Sequence, residues 1–456
     1  MLNNKEFLKG GKMMNFRVFI QFFLGVIGAF SCVVSCCSPS EATELPRPGF
    51  LDSHDALNAC TYHLRDGVPH FLEKVEGQAA PVTVAYFGGS ITAADGWRSQ
   101  TLREFSQRWG ANHFIEVNAA IGGTGSDLGV YRLARDVLAK NPDLVFIEFA
   151  VNDGGTPSLL VLKQIEGIVR QIWKKNASID IVFVYTYRVG HEKKYWEGEF
   201  PSSVAAMEEV ADFYGIPSID FNPEVISLHE KGRLVYQSDE TEEGVICFSK
   251  DGVHPTVEGH RIYTELVANA FRTMEQNSAS FDRKNRNLER VYTPGNYEDA
   301  RLEEISDSML VGNWSQLPED SSLAWTKMWF GDRVVTSDEP GARMIVRFKG
   351  SDLGIYDVMG PNGGQVRVSI DGVEKDKPIP RFDRYCSYWR LATMRLASGL
   401  DPNSVHEAII EIDQEEPDRS EVLSQLSSET QERDRLKYQG HNVWFGGIMV
   451  LGELLD

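Results

Sequence analysis

Five short apolar runs that alternate with helical patterns constrain the fold between residues 75 and 275 most strongly. The runs are 82–87, 114–119, 144–150, 179–187 and 216–220, and the helical patterns are 97–109, 126–140, 159–174, 201–214 and 257–274. Short apolar strands separated by helices require a parallel sheet covered on both faces, with right-handed crossovers. The alternation predicts a flavodoxin-like, three-layer α/β/α domain with a five-stranded parallel sheet at residues 45–275.

The segment before the first run predicts two small elements. Residues 55–65 favour a leading helix that Gly67 and Pro69 would end. Residues 69–74 are then expected to form a short separate turn.

The pattern changes after residue 275. Residues 276–305 are rich in Asn, Arg and Asp and predict a linker. Period-two or β-rich runs punctuated by Gly, Pro, Asn and Asp follow at 342–348, 364–370, 408–412 and 444–451. This pattern predicts an all-β sandwich of jelly-roll type at 306–456. The charged stretch 415–437 lacks apolar periodicity and predicts a surface excursion.

The N-terminus has the pattern of an export signal. A basic segment precedes the apolar run 18–30, which is too short for a membrane span, so residues 1–37 predict a signal peptide. The following Val33-Val-Ser-Cys36 resembles a bacterial lipoprotein processing site, with Cys36 as the lipidated residue. Cys32 and an ordinary cleaved signal are the alternatives. We expect an exported protein, periplasmic or anchored in the outer membrane of a bacterium.

Charge and cysteine usage exclude several partners and ligands. The chain of 456 residues carries a net charge of −20, which argues against nucleic acid and against anionic membranes. Beyond the signal, Cys60, Cys247 and Cys386 form no disulfide framework and no zinc spacing, although export would permit one bridge. We therefore expect no metal.

Four polar, glycine-rich stretches lie after predicted strands or before the last predicted helix. They are residues 88–91, 118–126, 149–155 and 249–255. A parallel sheet brings the loops after its strands to one edge, and the fourth stretch can reach that edge if the last helix packs beside the first strand. The four stretches are therefore expected to form one site.

The residue types in these stretches suit acyl transfer. A serine such as Ser90 needs an adjacent base, which His254 can supply, and Asp251 is spaced to orient the imidazole. The negative charge that develops on a carbonyl oxygen needs donors already in place. The N–H groups of Ser90 and Gly123 and the side-chain amide of Asn152 are the candidates.

At these stretches, over about residues 75–275, the chain resembles the SGNH (GDSL-type) hydrolase superfamily. The four namesake residues match Ser90, Gly123, Asn152 and His254, with Asp251 as the partner aspartate. The resemblance implies an α/β/α fold and metal-independent, cofactor-independent ester hydrolysis through an acyl-serine intermediate.

Two positions depart from the pattern of the superfamily. Gly89 stands where it has Asp, and Ala150 stands where it has Gly. Neither change removes a triad residue. Residues 86–92 and 125–129 look like a subgroup of exported bacterial proteins associated with polysaccharide breakdown. That resemblance implies removal of O-acetyl groups from a glycan.

Other functions remain as alternatives. A lipase, lysophospholipase or thioesterase would need an apolar slot beside Ser90, and a glycan-binding surface lipoprotein would need no catalysis. Gly123-x-Gly125 also suggests a dinucleotide site, but Leu128 occupies the third glycine position. His254 and His260 suggest a metal, but no further ligand lies at a suitable spacing.

Several residues outside the motifs have two interpretations. Trp97, Arg98, Tyr195 and Trp196 are candidate substrate contacts, and packing or an ordinary surface loop is the alternative. Glu148, in an apolar strand, is expected to be a structural anchor that needs a partner. The aromatic residues of the β region are expected to pack in its core, with a glycan platform as the alternative; they are Trp325, Trp329, Tyr388 and Trp389.

Overall fold

The structure is a computed structural model that describes residues 61–77, 81–110, 113–239, 243–281, 286, 288–331, 333–424, 426 and 435–455. The predicted signal peptide with Cys36, most of the predicted leading helix, and Cys60 lie outside these residues. No helix in the described part of the chain is both long enough and apolar enough to cross a membrane.

A parallel sheet forms the centre of the first domain. Its strands are β1 (Tyr62–His63), β2 (Val82–Gly88), β3 (Phe114–Asn118), β4 (Leu144–Glu148), β5 (Asp180–Tyr185) and β6 (Ser218–Asp220). Their order is β1-β6-β5-β4-β2-β3, and β2 to β6 run parallel. The five parallel strands and their flavodoxin-like order confirm the prediction. The short β1 adds an antiparallel edge.

Helices cover both faces of this sheet. They are α1 (Pro69–Gly77), α2 (Ser90–Ala93), α3 (Trp97–Trp109), α4 (Ser126–Asp136), α5 (Ser158–Lys175), α6 (Glu192–Trp196), α7 (Ser202–Tyr214), α8 (Asn222–Glu230) and α9 (Val257–Gln276). Ala85 and Phe87 pack with α4, α5 and α7 on one face, whereas Val84 and Tyr86 pack with α1, α3 and α9 on the other. Both faces of β4, β5 and β6 and nearly all of β2 are buried, which explains why these strands are largely apolar, whereas β3 at the sheet edge is partly exposed.

The predicted elements before β2 are wrong where the structure describes them. Residues Tyr62–His63 form a strand instead of the end of a helix. Pro69 begins the nine-residue helix α1 instead of a short turn. Proline suits the first position of a helix, because its missing N–H would have no partner within the helix there.

Between α8 and α9, two short strands form a separate parallel pair. They are β7 (Leu234–Gln237) and β8 (Ile246–Ser249). The loop after β8 leads directly into α9, so this pair places residues 250–256 above the sheet edge.

The second half of the chain is antiparallel β structure, as predicted. Its strands are β9 (Ala300–Glu303), β10 (Leu310–Val311), β11 (Ser315–Gln316), β12 (Val335–Ser337), β13 (Arg343–Met359), β14 (Gln365–Ile370), β15 (Val373–Glu374), β16 (Ile379–Pro380), β17 (Arg390–Ala397), β18 (Val405–Ile412) and β19 (Val443–Leu455). The long β13 pairs with β18 in its first half and with β17 in its second, changing partners past an irregularity between Gly350 and Asp352. The side chains of these strands share one core.

The predicted linker is not a free connection. The backbone N–H groups of Tyr292 and Thr293 donate to Glu166 of α5 at 2.7 and 2.8 Å, and β9 pairs with β19. The rings of Tyr131 on α4 and Tyr297 meet edge to face at 6.0 Å, within a hydrophobic cluster that contains residues of both domains. Thr293, Tyr297 and Ala300 are buried, so this part of the predicted linker packs against both domains instead of forming a free connection.

Candidate active site

The four glycine-rich stretches meet at the carboxyl edge of the parallel sheet. Ser90 is the first residue of α2, directly after β2, and Asn152 begins a short 3₁₀ turn after β4. Gly123 lies between β3 and α4, whereas His254 lies between β8 and α9. Open α/β sheets bind their ligands at this edge.

Ser90, His254 and Asp251 form a continuous chain of hydrogen bonds. Nε2 of His254 lies 2.8 Å from Oγ of Ser90, and its Nδ1 lies 2.6 Å from Oδ2 of Asp251. The side chain of His254 is 50% exposed, so a ligand can reach it from solvent. A base that contacts the hydroxyl on one side and a carboxylate on the other can remove the proton of that hydroxyl.

The turn before His254 holds the Asp251 carboxylate in place. Oδ1 of Asp251 accepts from the N–H groups of Val253 and His254, at 2.9 and 2.8 Å, and from the hydroxyl of Ser249 at 3.0 Å. Desolvation opposes ionisation, but these bonds and the one from the His254 ring hold the pKa of Asp251 well below its usual range. Asp251 is therefore ionised wherever His254 works as a base.

Glycines let the loops that carry the predicted oxyanion residues approach the loop of Ser90. A Cβ at Gly122 would lie 3.6 Å from the Cβ of Ser90, and Gly123 has a φ of +74°, which favours glycine. A Cβ at Gly89 would collide with the Asn152 carboxamide. Gly89 and Asn152 are therefore in close contact in this structure. The N–H of Ser90 lies in the first turn of α2, where no helical carbonyl accepts it.

Two buried carboxyl groups lie beneath this site. Oε2 of Glu148 accepts from the Thr92 hydroxyl at 2.8 Å and Oε1 accepts from the Thr186 hydroxyl at 2.9 Å, so Glu148 has the structural partners expected. Asp153 accepts from the backbone N–H of Ser126 at 3.0 Å and so caps the N-terminus of α4. Burial raises the pKa of each carboxyl to about 7.

Burial contradicts the prediction of a substrate contact for three of the four candidate residues. Trp97 is fully buried and its ring packs against Tyr86. Tyr195 is 1% exposed and donates to Asp220 at 2.5 Å. Arg98 is buried as well and donates to Glu116 and to the Thr92 carbonyl. Each side chain therefore stabilises the domain instead of facing a ligand.

Trp196 and part of the β-region aromatic set are exposed. The indole of Trp196 is 49% exposed and donates to Glu230 at 3.0 Å. Trp325 and Tyr388 are 40% and 56% exposed, and Trp329 and Trp389 are half-buried. Core packing is therefore the wrong prediction for Trp325 and Tyr388.

Three hydrogen-bonded contacts that stabilise the site were not predicted from the sequence. Ser249 stabilises Asp251, Asp153 caps α4, and the N–H of Val189 donates to the Gly252 carbonyl at 2.8 Å. Ser249 stands two residues before Asp251 in a turn, which is a recognisable local signal. The other two contacts join distant segments and leave no comparable pattern.

The surroundings of the triad offer a pocket but no metal cluster. A pocket of about 870 Å³ opens beside Asp251 and His254 and is bordered by Lys250, Val257 and Glu258. Within the described ranges, no three His, Cys, Asp or Glu side chains are arranged to hold a metal ion. Cys247 and Cys386 are buried free thiols.

Comparisons with known proteins agree with this fold. Residues 86–262 match the family model of the GDSL-like Lipase/Acylhydrolase family. A two-domain esterase (CEX) active on acetylated mannans, co-crystallised with mannopentaose, superposes with a TM-score of 0.64 at 18% identity, covering 87% of this chain and 98% of that one. Another crystal structure of CEX gives 0.64 and 18%, covering 85% and 96%. At this identity the likeness concerns the fold. No curated protein matches significantly.

The raised pKa of Asp153 predicts how one substitution changes stability with pH. Its carboxyl titrates near 4 when unfolded and at about 7 when folded, so the folded state binds an extra proton in between. The stability that Asp153 contributes is complete below pH 4 and is lost as the pH rises through 7. Asp153→Asn cannot ionise, so its stability relative to wild type should rise by up to about 1.4 kcal/mol per pH unit between 5 and 7.

Chemical unfolding of both proteins at pH 5, 6, 7 and 8 measures this difference. The exposed Asp376→Asn serves as the matched control and should show the same difference at each pH. A constant difference for Asp153→Asn would contradict the prediction.

Proposed function

Residues 86–262 form a GDSL-like lipase/acylhydrolase domain, and from this premise we propose that the protein is a serine esterase that hydrolyses carboxylic esters. The observation that carries the proposal is the continuous hydrogen-bonded chain from Ser90 through His254 to Asp251. The half-exposed imidazole leaves room for an ester carbonyl beside Ser90.

In the proposed mechanism, Oγ of Ser90 attacks the ester carbonyl while Nε2 of His254 takes the hydroxyl proton. Asp251 stabilises the resulting imidazolium and keeps its Nδ1–H oriented. The N–H groups of Ser90 and Gly123 and the amide of Asn152 stabilise the oxyanion. His254 then protonates the leaving alcohol. Water attacks the acyl-serine by the same route, which releases the acid and restores Ser90.

Two substitutions test this mechanism. Ser90→Ala should abolish labelling by a fluorophosphonate and remove nearly all ester hydrolysis, because the covalent intermediate cannot form. Asn152→Ala should lower kcat about 100- to 1,000-fold and leave KM nearly unchanged, because one oxyanion donor acts mainly in the transition state.

Ser106→Ala, on α3, is the matched serine control and should keep both labelling and hydrolysis. Labelling of the Ser90→Ala protein at wild-type rate, or an Asn152→Ala kcat within threefold of wild type, would exclude the assigned roles.

We propose that the substrate is an O-acetyl group on a polysaccharide. The triad lies open at the surface, with the Asp251 and His254 side chains about half exposed, and such a site can accept an ester on a bulky polymer. The two-domain architecture shared with CEX, an esterase active on acetylated mannans, also supports a glycan substrate.

A release assay tests this substrate class. Wild-type protein should release acetate from acetylated mannan or xylan and should prefer p-nitrophenyl acetate to the octanoate and palmitate esters. A long acyl chain gains affinity only by burying its apolar surface, so a preference for octanoate or palmitate would require an apolar slot beside Ser90. Ser90→Ala is the control for background hydrolysis. A preference for palmitate would replace the acetylesterase assignment with a lipase-type one and leave the mechanism intact.

We further propose that the protein is exported and lipid-anchored through Cys36, as the apolar run and the Cys36 context favour. Palmitate incorporation in a bacterial host should disappear in Cys36→Ala and persist in Cys32→Ala. The membrane fraction should lose the protein in the first variant only. Persistent labelling of Cys36→Ala would refute the anchor at this position.

A further inference from the structure

Glu148 is a buried carboxyl that the proposed mechanism does not use. It is the last residue of β4, is 0% exposed, and stands opposite Gly88 in the ladder between β2 and β4. A Cβ at Gly88 would collide with the Glu148 backbone carbonyl, so the two strands approach closely just before Ser90. The carboxyl therefore lies directly beneath the nucleophile loop.

The hydrogen bonds of Glu148 bracket Ser90 in the sequence. Its Oε2 accepts from the N–H of Gly89 at 3.4 Å, one residue before Ser90, and from the hydroxyl of Thr92 at 2.8 Å, two residues after it. Its Oε1 accepts from the hydroxyl of Thr186, just beyond β5, at 2.9 Å. One carboxyl thus ties the nucleophile loop to two strand ends.

The groups around Glu148 are donors and other acids. The three donors are neutral, and the titratable groups that interact with the carboxyl are Asp153, after β4, and Tyr263, on α9. Burying an acid beside another acid costs free energy, and burial is the main reason for its raised pKa. An apolar residue would avoid this cost, so the carboxyl is better explained by what its hydrogen bonds hold.

We propose that Glu148 is a positioning residue of the esterase, whose carboxyl clamps residues 89–92 and so fixes the direction of the Ser90 hydroxyl towards His254. The clamp itself is a property of the fold, whereas its effect on catalysis rests on the proposed function. Small shifts of a nucleophile are costly, since a displacement of about 1 Å can lower the rate about 100-fold.

The first experiment measures the clamp without any substrate. Hydrogen exchange followed by mass spectrometry should show faster exchange in the 86–95 peptide of Glu148→Ala, because the loop loses its shared acceptor. Asp220→Ala is the matched control. Asp220 is also a buried carboxyl at a strand end, but its partners are Tyr195 and Asn222. In the Asp220→Ala protein, the 86–95 peptide should exchange at the wild-type rate.

The second experiment measures the effect on catalysis. Glu148→Ala should lower kcat at least about 30-fold with KM within about threefold, because misalignment weakens the transition state and not substrate binding. Glu148→Gln keeps a side-chain oxygen acceptor and should recover most of this loss. Thr92→Val removes a single donor with little change of volume, and it serves as the test variant if Glu148→Ala does not fold. Thr92→Val should lower kcat less than Glu148→Ala does, again with KM within about threefold.

The outcomes separate the two proposals. Wild-type exchange of the 86–95 peptide in both Glu148→Ala and Thr92→Val would overturn the clamp. Faster exchange with an unchanged kcat would overturn its catalytic role. If the wild-type protein fails to react with fluorophosphonate, the esterase assignment and the catalytic role of Glu148 fall together, whereas the exchange data still decide the clamp.

Discussion

The candidate active site depends on one hydrogen bond between residues 164 positions apart, Ser90 and His254. Each end is held by different means. Ser90 starts α2 at the carboxyl end of β2, where Glu148 of the adjacent strand accepts from the loop on both sides. His254 lies in a turn whose Asp251 carboxylate binds two backbone N–H groups and the ring. A hydroxyl and an imidazole on flexible segments would lose the bond to conformational entropy.

The same edge of the sheet packs closely around the nucleophile loop. The Asn152 carboxamide lies where a Cβ at position 89 would be, so Gly89 fits this arrangement without a collision. A buried carboxyl bonded to that loop comes from Glu148 on β4. The surroundings of the nucleophile are thus assembled from two neighbouring strands.

The β region is joined to the first domain by a common hydrophobic core. Tyr297, just before β9, packs against Tyr131 of α4, and the residues before it bind Glu166 of α5. The N-terminus of α4 carries the cap from Asp153 and follows the loop with Gly123. The β region therefore packs against the helix that supports one side of the site.

The sequence by itself predicted the five parallel strands, the apolar runs of β13, β14, β18 and β19, and the grouping of Ser90, His254 and Asp251. Apolar runs buried on both faces, as in β2 and β4, have a local pattern, and the spacing of Asp251 and His254 sets their contact within one turn. The tertiary structure alone decided which candidates face solvent: Trp97 and Tyr195 are buried, whereas Trp325 and Tyr388 are exposed. It also decided the partners of Glu148 and the packing of residues 288–304. The reason is that burial and hydrogen-bond partners arise from contacts between distant segments, which local periodicity does not encode.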